Sequence, residues 1–394
     1  MATRRMARSA AGALAAGALV VGAFTAPAGA SSGDTARDGG HQATQRVLDA
    51  LVQAGVPGIT VQARDRRGVW RSTSGVGDRV TGRPRSVDDR FRIASITKTF
   101  VATVLLQQEA EGRIGLDDTV ERWLPGVVRG NGNDGRRISV RQLLNHTSGI
   151  YDYTDDPGHL KKYVRAPGFL RHRYDTVTPD LAVRTALSHR PGFEPGARYG
   201  YSNTNYVLAA LIMEKAGGRS YADEVRTRII EPLGLQGTVL PGRSVDVPEP
   251  SSRAYSTLGT DPGARKIYDV TRQNASQSWG DGDIISTAAD LNRFFSALIR
   301  GELLPAEQLA EMKTTVAHPQ NPAYRYGLGI ATLKAACGVW LWGNDGGWIG
   351  SFSQAVTTED GRHTLALNLN GDWGVPDSAG TDLLKAEFCS PAGS

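Results

Sequence analysis

Phe91-Arg92-Ile93-Ala94-Ser95-Ile96-Thr97-Lys98-Thr99-Phe100 carries the one S-x-x-K of the chain, at the point where a loop enters a long apolar helix. Phe100, Val101, Val104 and Leu105 recur at helical spacing from Ile96 onward, until Gly112 stops the run. Free backbone N–H groups and the helix dipole favour negative charge at such a start, and residues three apart share a face, so the Lys98 amine reaches the Ser95 hydroxyl. A buried lysine whose pKa is lowered by desolvation serves as a base for that serine. The plain structural alternative is a helix-capping Ser followed by a solvated Lys. Lys98 opens an otherwise apolar helix, which argues against it.

Upstream, a helix from near Gln42 carries Val47, Leu48, Leu51 and Val52 on one face, and residues 58–63 and 68–75 read as two strands joined by the charged turn Asp65-Arg66-Arg67. Downstream, helical runs over 140–144, 181–188, 205–216, 221–230 and 288–299 end at Gly, Pro or polar residues, with few strand signals among them. β-rich runs return at 338–342, 351–357 and 363–369, the last two joined by Glu359-Asp360-Gly361, and a helix follows from about 377 to 388. Strands at both chain ends around a helical middle imply one antiparallel sheet shared by the two ends. The expected fold is α+β, an antiparallel sheet flanked by helices with a mostly helical subdomain over about 100–300, and a cleft where the two parts meet.

Two further segments carry chemistry. Tyr201-Ser202-Asn203, the one Y-x-N, precedes the helix near Asn205. A phenol near Lys98 would shuttle a proton between nucleophile and leaving group, and Asn203 would hydrogen-bond a substrate amide; a helix cap with a packing tyrosine is the structural alternative. Gly343-Asn344-Asp345-Gly346-Gly347-Trp348-Ile349-Gly350 lies between two strands, where glycines allow close backbone approach to a ligand or form a plain β-turn. The backbone amide of Gly347 would pair with that of Ser95 as an oxyanion hole.

Together, in this order, the three elements resemble the penicillin-recognising serine hydrolases, the DD-peptidases and class C-type β-lactamases with S-x-x-K, Y-x-N and a third K-T-G or H-x-G element. Leu143-Leu144-Asn145-His146-Thr147-Ser148-Gly149 and Ile285-Ser286-Thr287-Ala288-Ala289-Asp290-Leu291 look like the same family, over about residues 42–389. The resemblance implies a β-lactamase/transpeptidase-like fold, Ser95 as nucleophile, Lys98 and Tyr201 as proton movers, an acyl-serine intermediate, and neither metal nor organic cofactor. Asn203, Asn344, Asp345, Gly346 and Gly347 become the expected substrate-binding residues. The leading expectation is a D-alanyl-D-alanine carboxypeptidase-like enzyme on cell-wall peptides; a β-lactamase, esterase or amidase of the same fold is the alternative, and a catalytically silent penicillin-binding or sensor protein the alternative of another class. One departure bears on this. Where DD-peptidases place Lys or His followed by Thr or Ser, this chain has Asn344 and Asp345, so the cation for a terminal carboxylate is missing and an acid faces it. His146 and His363 are expected to be structural and surface residues rather than triad members.

The 394 residues are 40% hydrophobic and 22% charged, within the range of globular proteins, and the 47 Gly and 19 Pro show no period, which excludes collagen-like and low-complexity readings. Arg4, Arg5 and Arg8 precede an uncharged run from Ser9 to Phe24 and an Ala28-Gly29-Ala30 site, the pattern of a secretory signal peptide over 1–30, too short for a membrane span. A linker over 31–41 and a tail over 390–394 flank the main domain. Cleavage near Ala30 lowers the net charge from +5 to +2, and no basic run remains to support nucleic-acid or membrane binding. A soluble, secreted monomer acting on a small-molecule or peptide substrate is expected. Cys337 and Cys389, the only cysteines, are expected to pair in an oxidising compartment, worth roughly 4 kcal/mol by loop-closure entropy.

Overall fold

The computed structural model describes residues 40–259, 266–376 and 378–389. The expected signal segment 1–30, most of the linker, Asp377 and the tail 390–394 lie outside the described residues.

Strands from both chain ends build one antiparallel sheet. They are β1 (Gly58–Asp65), β2 (Gly68–Gly75), β3 (Val316–His318), β4 (Asn321–Tyr326), β5 (Ala331–Lys334), β6 (Trp340–Trp348), β7 (Ser351–Thr358) and β8 (Thr364–Leu369), in the spatial order β2-β1-β8-β7-β6-β5-β4-β3. β1 is the seam, pairing with β2 on one side and with β8 on the other in the register Ile59 to Leu369 and Val61 to Leu367. Side chains alternate across the sheet. Leu365, Leu367 and Leu369 of β8 join Leu48, Leu51, Leu383 and Leu384, from helices α1 (Gln42–Gln53) and α5 (Ala379–Phe388), on one face. Ala366 and Ala355 face the other way, into a larger core with Phe294 and Phe295 of helix α4 (Ala288–Ile299).

That larger core centres on α2 (Thr97–Ala110), the helix opened by the S-x-x-K segment, and on α3 (Thr204–Gly217), which packs along it. Both are buried nearly all round, as central helices must be when they are apolar on every face. Short helices and two-residue bridges make up most of the middle of the chain, and the strand pair Phe91–Arg92 with Ile285–Ser286 ties that part to the start of α2. Cys337 and Cys389 form a disulfide with Cα atoms 5.5 Å apart, joining the β5–β6 turn to the end of α5.

Two expectations need correction. β3, β4 and β5, over 316–334, were absent from the expected strand set, and the glycine-rich segment 343–348 is the second half of β6 rather than a turn between strands. A glycine inside a strand here marks close approach of another backbone.

Candidate active site

Ser95 lies in a 3-10 turn, Ala94–Ile96, that runs into α2, and of residues 91–100 it alone is not buried. Ala94 takes φ 47°, a left-handed backbone that residues with a Cβ rarely adopt, so the turn is strained at the residue before the serine. Ser351 Oγ of β7 donates to the Arg92 carbonyl at 2.9 Å and anchors this segment to the sheet.

Lys98 is fully buried one helical turn on, and its Nζ donates to Ser95 Oγ at 2.9 Å, to Asn203 Oδ1 at 2.8 Å and to the Asp281 backbone carbonyl at 2.7 Å. Three acceptors match the three protons of an ammonium. Burial nevertheless pushes the amine down to about 8, against the opposing pull of Asp281, Asp152 and Asp345. On the other side of the serine, Tyr201 OH shares a hydrogen bond with Ser95 Oγ at 2.7 Å. Tyr201 is 39% exposed, while desolvation of its hydroxyl pushes that phenol up and keeps it protonated. Both the amine and the phenol therefore reach the one hydroxyl.

Asn203, half-buried, spends both ends of its amide on the protein rather than keeping them for a substrate. Its Oδ1 accepts from Lys98, and its Nδ2 donates to Asp152 Oδ2 at 2.9 Å and Thr154 Oγ1 at 3.2 Å, so it links Lys98 to a buried carboxylate. Asp281 completes this layer. Its carboxyl accepts from Tyr153 OH at 2.8 Å, and burial pushes it up to about 7 despite Lys98.

β6 supplies the third element by strict alternation. Asn344 is buried, its Nδ2 donating to Thr99 Oγ1 of α2 at 3.2 Å, with its Oδ1 accepting from the Asp345 amide at 3.0 Å. Gly346 turns the same way, and a Cβ there would meet the Ile93 carbonyl and lie 2.7 Å from the Ser95 amide nitrogen. Asp345 and Gly347 face outward and are exposed. Asn344 is thus a strut between β6 and α2 rather than a substrate contact. Gly346 brings the β6 backbone against Ser95, with the Gly347 amide next in line.

The family model described as Beta-lactamase matches residues 44–388. The chain belongs to the beta-lactamase family. Penicillin-binding protein 4 of Amycolatopsis lactamdurans is 30% identical to it over 363 residues, 88% of each chain. Penicillin-binding protein 4* of Bacillus subtilis (strain 168) is 27% identical over 317 residues, 75% of this chain and 64% of its own length, so this chain spans less than two thirds of that relative. Among solved structures, the D-stereospecific amidohydrolase from Streptomyces sp. is similar with a TM-score of 0.83 and 52% identity, covering 89% of this chain and 98% of that one. The fold is the α+β fold of the beta-lactamases and transpeptidases, and the chain is a serine hydrolase of that superfamily.

In this beta-lactamase family member neither histidine serves Ser95. His146 is buried with φ 59°, its Nδ1 facing the Ser202 amide at 3.3 Å and Asn205 Nδ2 at 3.2 Å, and its ring packs 4.3 Å behind that of Tyr201. Burial holds it far below the usual imidazole range, hence neutral. His363 is paired rather than simply exposed, 2.8 Å from Glu387 on α5. The sequence reading missed Asp152, Tyr153 and Asp281. A signal for the last existed in Trp279-Gly280-Asp281-Gly282-Asp283-Ile284-Ile285, where one acid stands between two glycines and a second follows before an apolar pair.

Proposed function

We propose that this protein hydrolyses amides and esters of D-configured amino acids through an acyl-Ser95 intermediate. The observation that carries the reading is Ser95 Oγ held at hydrogen-bond distance by both Lys98 Nζ and Tyr201 OH. In the acylation step the neutral Lys98 amine takes the Ser95 proton as Oγ bonds to the substrate carbonyl carbon. The resulting oxyanion is held by the Ser95 and Gly347 amides. Tyr201 passes a proton to the departing nitrogen or oxygen as that bond breaks, and is reprotonated from Lys98. Water then adds to the acyl-serine by the same route in reverse and frees the acid.

The substrate class is supported by two considerations. The two positions where DD-peptidases place a carboxylate-binding cation and hydroxyl hold Asn344, which is buried, and Asp345, an acid, which disfavours the D-alanyl-D-alanine carboxypeptidase reading. The similarity at 52% identity is to a D-stereospecific amidohydrolase. We also assign the chain to an exported compartment, on the pattern of residues 1–30 and the Cys337–Cys389 disulfide.

The test compares D-phenylalanine amide, its L enantiomer and a peptide ending in D-Ala-D-Ala, with Ser95→Ala as control. Turnover of the D amide, lost in Ser95→Ala, is expected. Faster release of D-alanine from the peptide than of ammonia from the D amide would overturn the amidohydrolase reading and restore the carboxypeptidase.

A further inference from the structure

Asp345 is a carboxyl group that the fold leaves without a counter-ion, and its partial desolvation pushes its pKa up against the pull of Lys98. Alternation along β6 turns it out of the sheet one residue before Gly346, whose backbone abuts Ser95, and the Lys98 charge reaches it there. Among the described residues no Arg or Lys approaches it as an ion-pair partner, and Lys98, whose charge acts on it, already spends its three protons on other oxygens. The adjoining walls are phenolic. Tyr199, Tyr324 and Tyr326 all feel the Asp345 charge, and with His318 they form a cluster of rings, Tyr199 to His318 at 5.4 Å, His318 to Tyr324 at 5.7 Å and Tyr199 to Tyr326 at 5.9 Å. Tyr199 and Tyr326 are buried while Tyr324 is half-buried. The rings supply no counter-charge, and their negative faces add attraction for a cation.

We propose that Asp345, walled by Tyr199, Tyr324 and Tyr326, is a subsite for a primary ammonium group of the substrate. The inference rests on the acyl-Ser95 reading and deepens it. An ammonium offers the charge and the hydrogen-bond donors that the carboxylate lacks; a carboxylate-bearing substrate would meet like charge at the same spot. The ammonium belongs either to the acyl part, as the α-amine of an aminoacyl amide, or to the leaving part.

Two matched substrate pairs separate these sources. D-phenylalanine p-nitroanilide against 3-phenylpropionyl p-nitroanilide removes the amine from the acyl part; the N-(2-aminoethyl) amide of 3-phenylpropionic acid against its N-propyl amide removes it from the leaving part. The protein is expected to prefer the ammonium member of one pair by about 30-fold in kcat/KM, and Asp345→Asn to shrink that preference to about threefold or less, whereas Asp345→Glu retains it. Acylation of Ser95 by the p-nitrophenyl ester of 3-phenylpropionic acid, read as an intact-mass adduct, is followed in parallel. An adduct with no preference in either pair, or a preference that survives Asp345→Asn, overturns the subsite alone. Absence on the parent protein of both an adduct and p-nitrophenol release above that of Ser95→Ala overturns the acyl-serine reading and the subsite with it. A readout independent of variant folding is inhibition of the parent: n-propylammonium is expected to inhibit at least about tenfold more strongly than n-propanol, and equal inhibition overturns the subsite.

Discussion

Asn203 Oδ1 lies 2.8 Å from Lys98 Nζ while its Nδ2 lies 2.9 Å from Asp152 Oδ2. One amide therefore spans the active amine and a buried acid, with its carbonyl end on the cation and its N–H end on the anion, the only orientation in which both contacts are favourable. Because it is committed to the interior, Asn203→Ala is expected to lower kcat by about 10- to 100-fold with KM for an uncharged ester changed by less than about threefold. Steady-state kinetics check this. A rise in KM with kcat preserved would return Asn203 to substrate binding.

On the proposed mechanism the buried Lys98 sets the pH dependence. Its amine, lowered to about 8 by burial against the charges of Asp281, Asp152 and Asp345, must be neutral to accept the Ser95 proton. Acylation measured in single turnover is thus expected to rise about tenfold per pH unit below about pH 8 and to level off above it. A flat profile from about pH 6 to 9 would remove Lys98 as the base.

Gly346 is a distance constraint. A methyl group there would collide with the Ile93 carbonyl and the Ser95 amide, and both atoms are backbone that cannot swing aside. Gly346→Ala is expected to cut Ser95 acylation by about 100-fold or more while far-UV circular dichroism stays native. Labelling of the variant at the parental rate would show that β6 need not touch the Ser95 turn.

Glu387 clamps the two chain ends. It is buried, with Thr44 Oγ1 donating to it at 2.7 Å and the rings of His41 and His363 at 3.0 and 2.8 Å. Burial raises its pKa, but the contacts with His363, His41 and Thr44 win and hold it at about 2, below the 4.5 of the free side chain. A carboxyl depressed on folding stabilises above its unfolded value, and that contribution is lost as pH falls from about 4.5 through about 2. Glu387→Gln is expected to lose about 3 kcal/mol at neutral pH and to show a flatter acid limb in urea titrations. Unchanged acid dependence would contradict this clamp.

The Ser95–Lys98 contact was legible in the sequence because its cue is local: the two stand three residues apart where a turn runs into α2, and a lysine that opens an apolar run is costly to bury unless its amine has partners. The N-terminal hairpin and the closing strands were equally plain, since β-branched runs flank charged or Gly-containing turns. β3 to β5 were not, because Pro319, Pro322 and the Gly327-Leu328-Gly329 bend interrupt any alternation and because strands near an edge need no continuous apolar face. Asn203 and Asn344 stood out as polar residues in the right motifs, but which way each side chain turned depended on long-range partners: Asp152 for one, Thr99 for the other. The buried acids behind Lys98 share that difficulty, as nothing local separates a core carboxylate from a surface one.

Pairing β1 with β8 has a consequence for when the molecule becomes competent. Ile59 and Leu369 are partners, so the sheet closes only across roughly 300 intervening residues, a contact whose loop entropy must be met before it contributes anything. β6, which backs the Ser95 turn, reaches that seam only through β7 and β8. A nascent chain truncated before β8 carries Ser95, Lys98 and Tyr201 yet lacks the closed frame that sets them. The chain through Leu369 must therefore be made before the sheet that frames Ser95 closes.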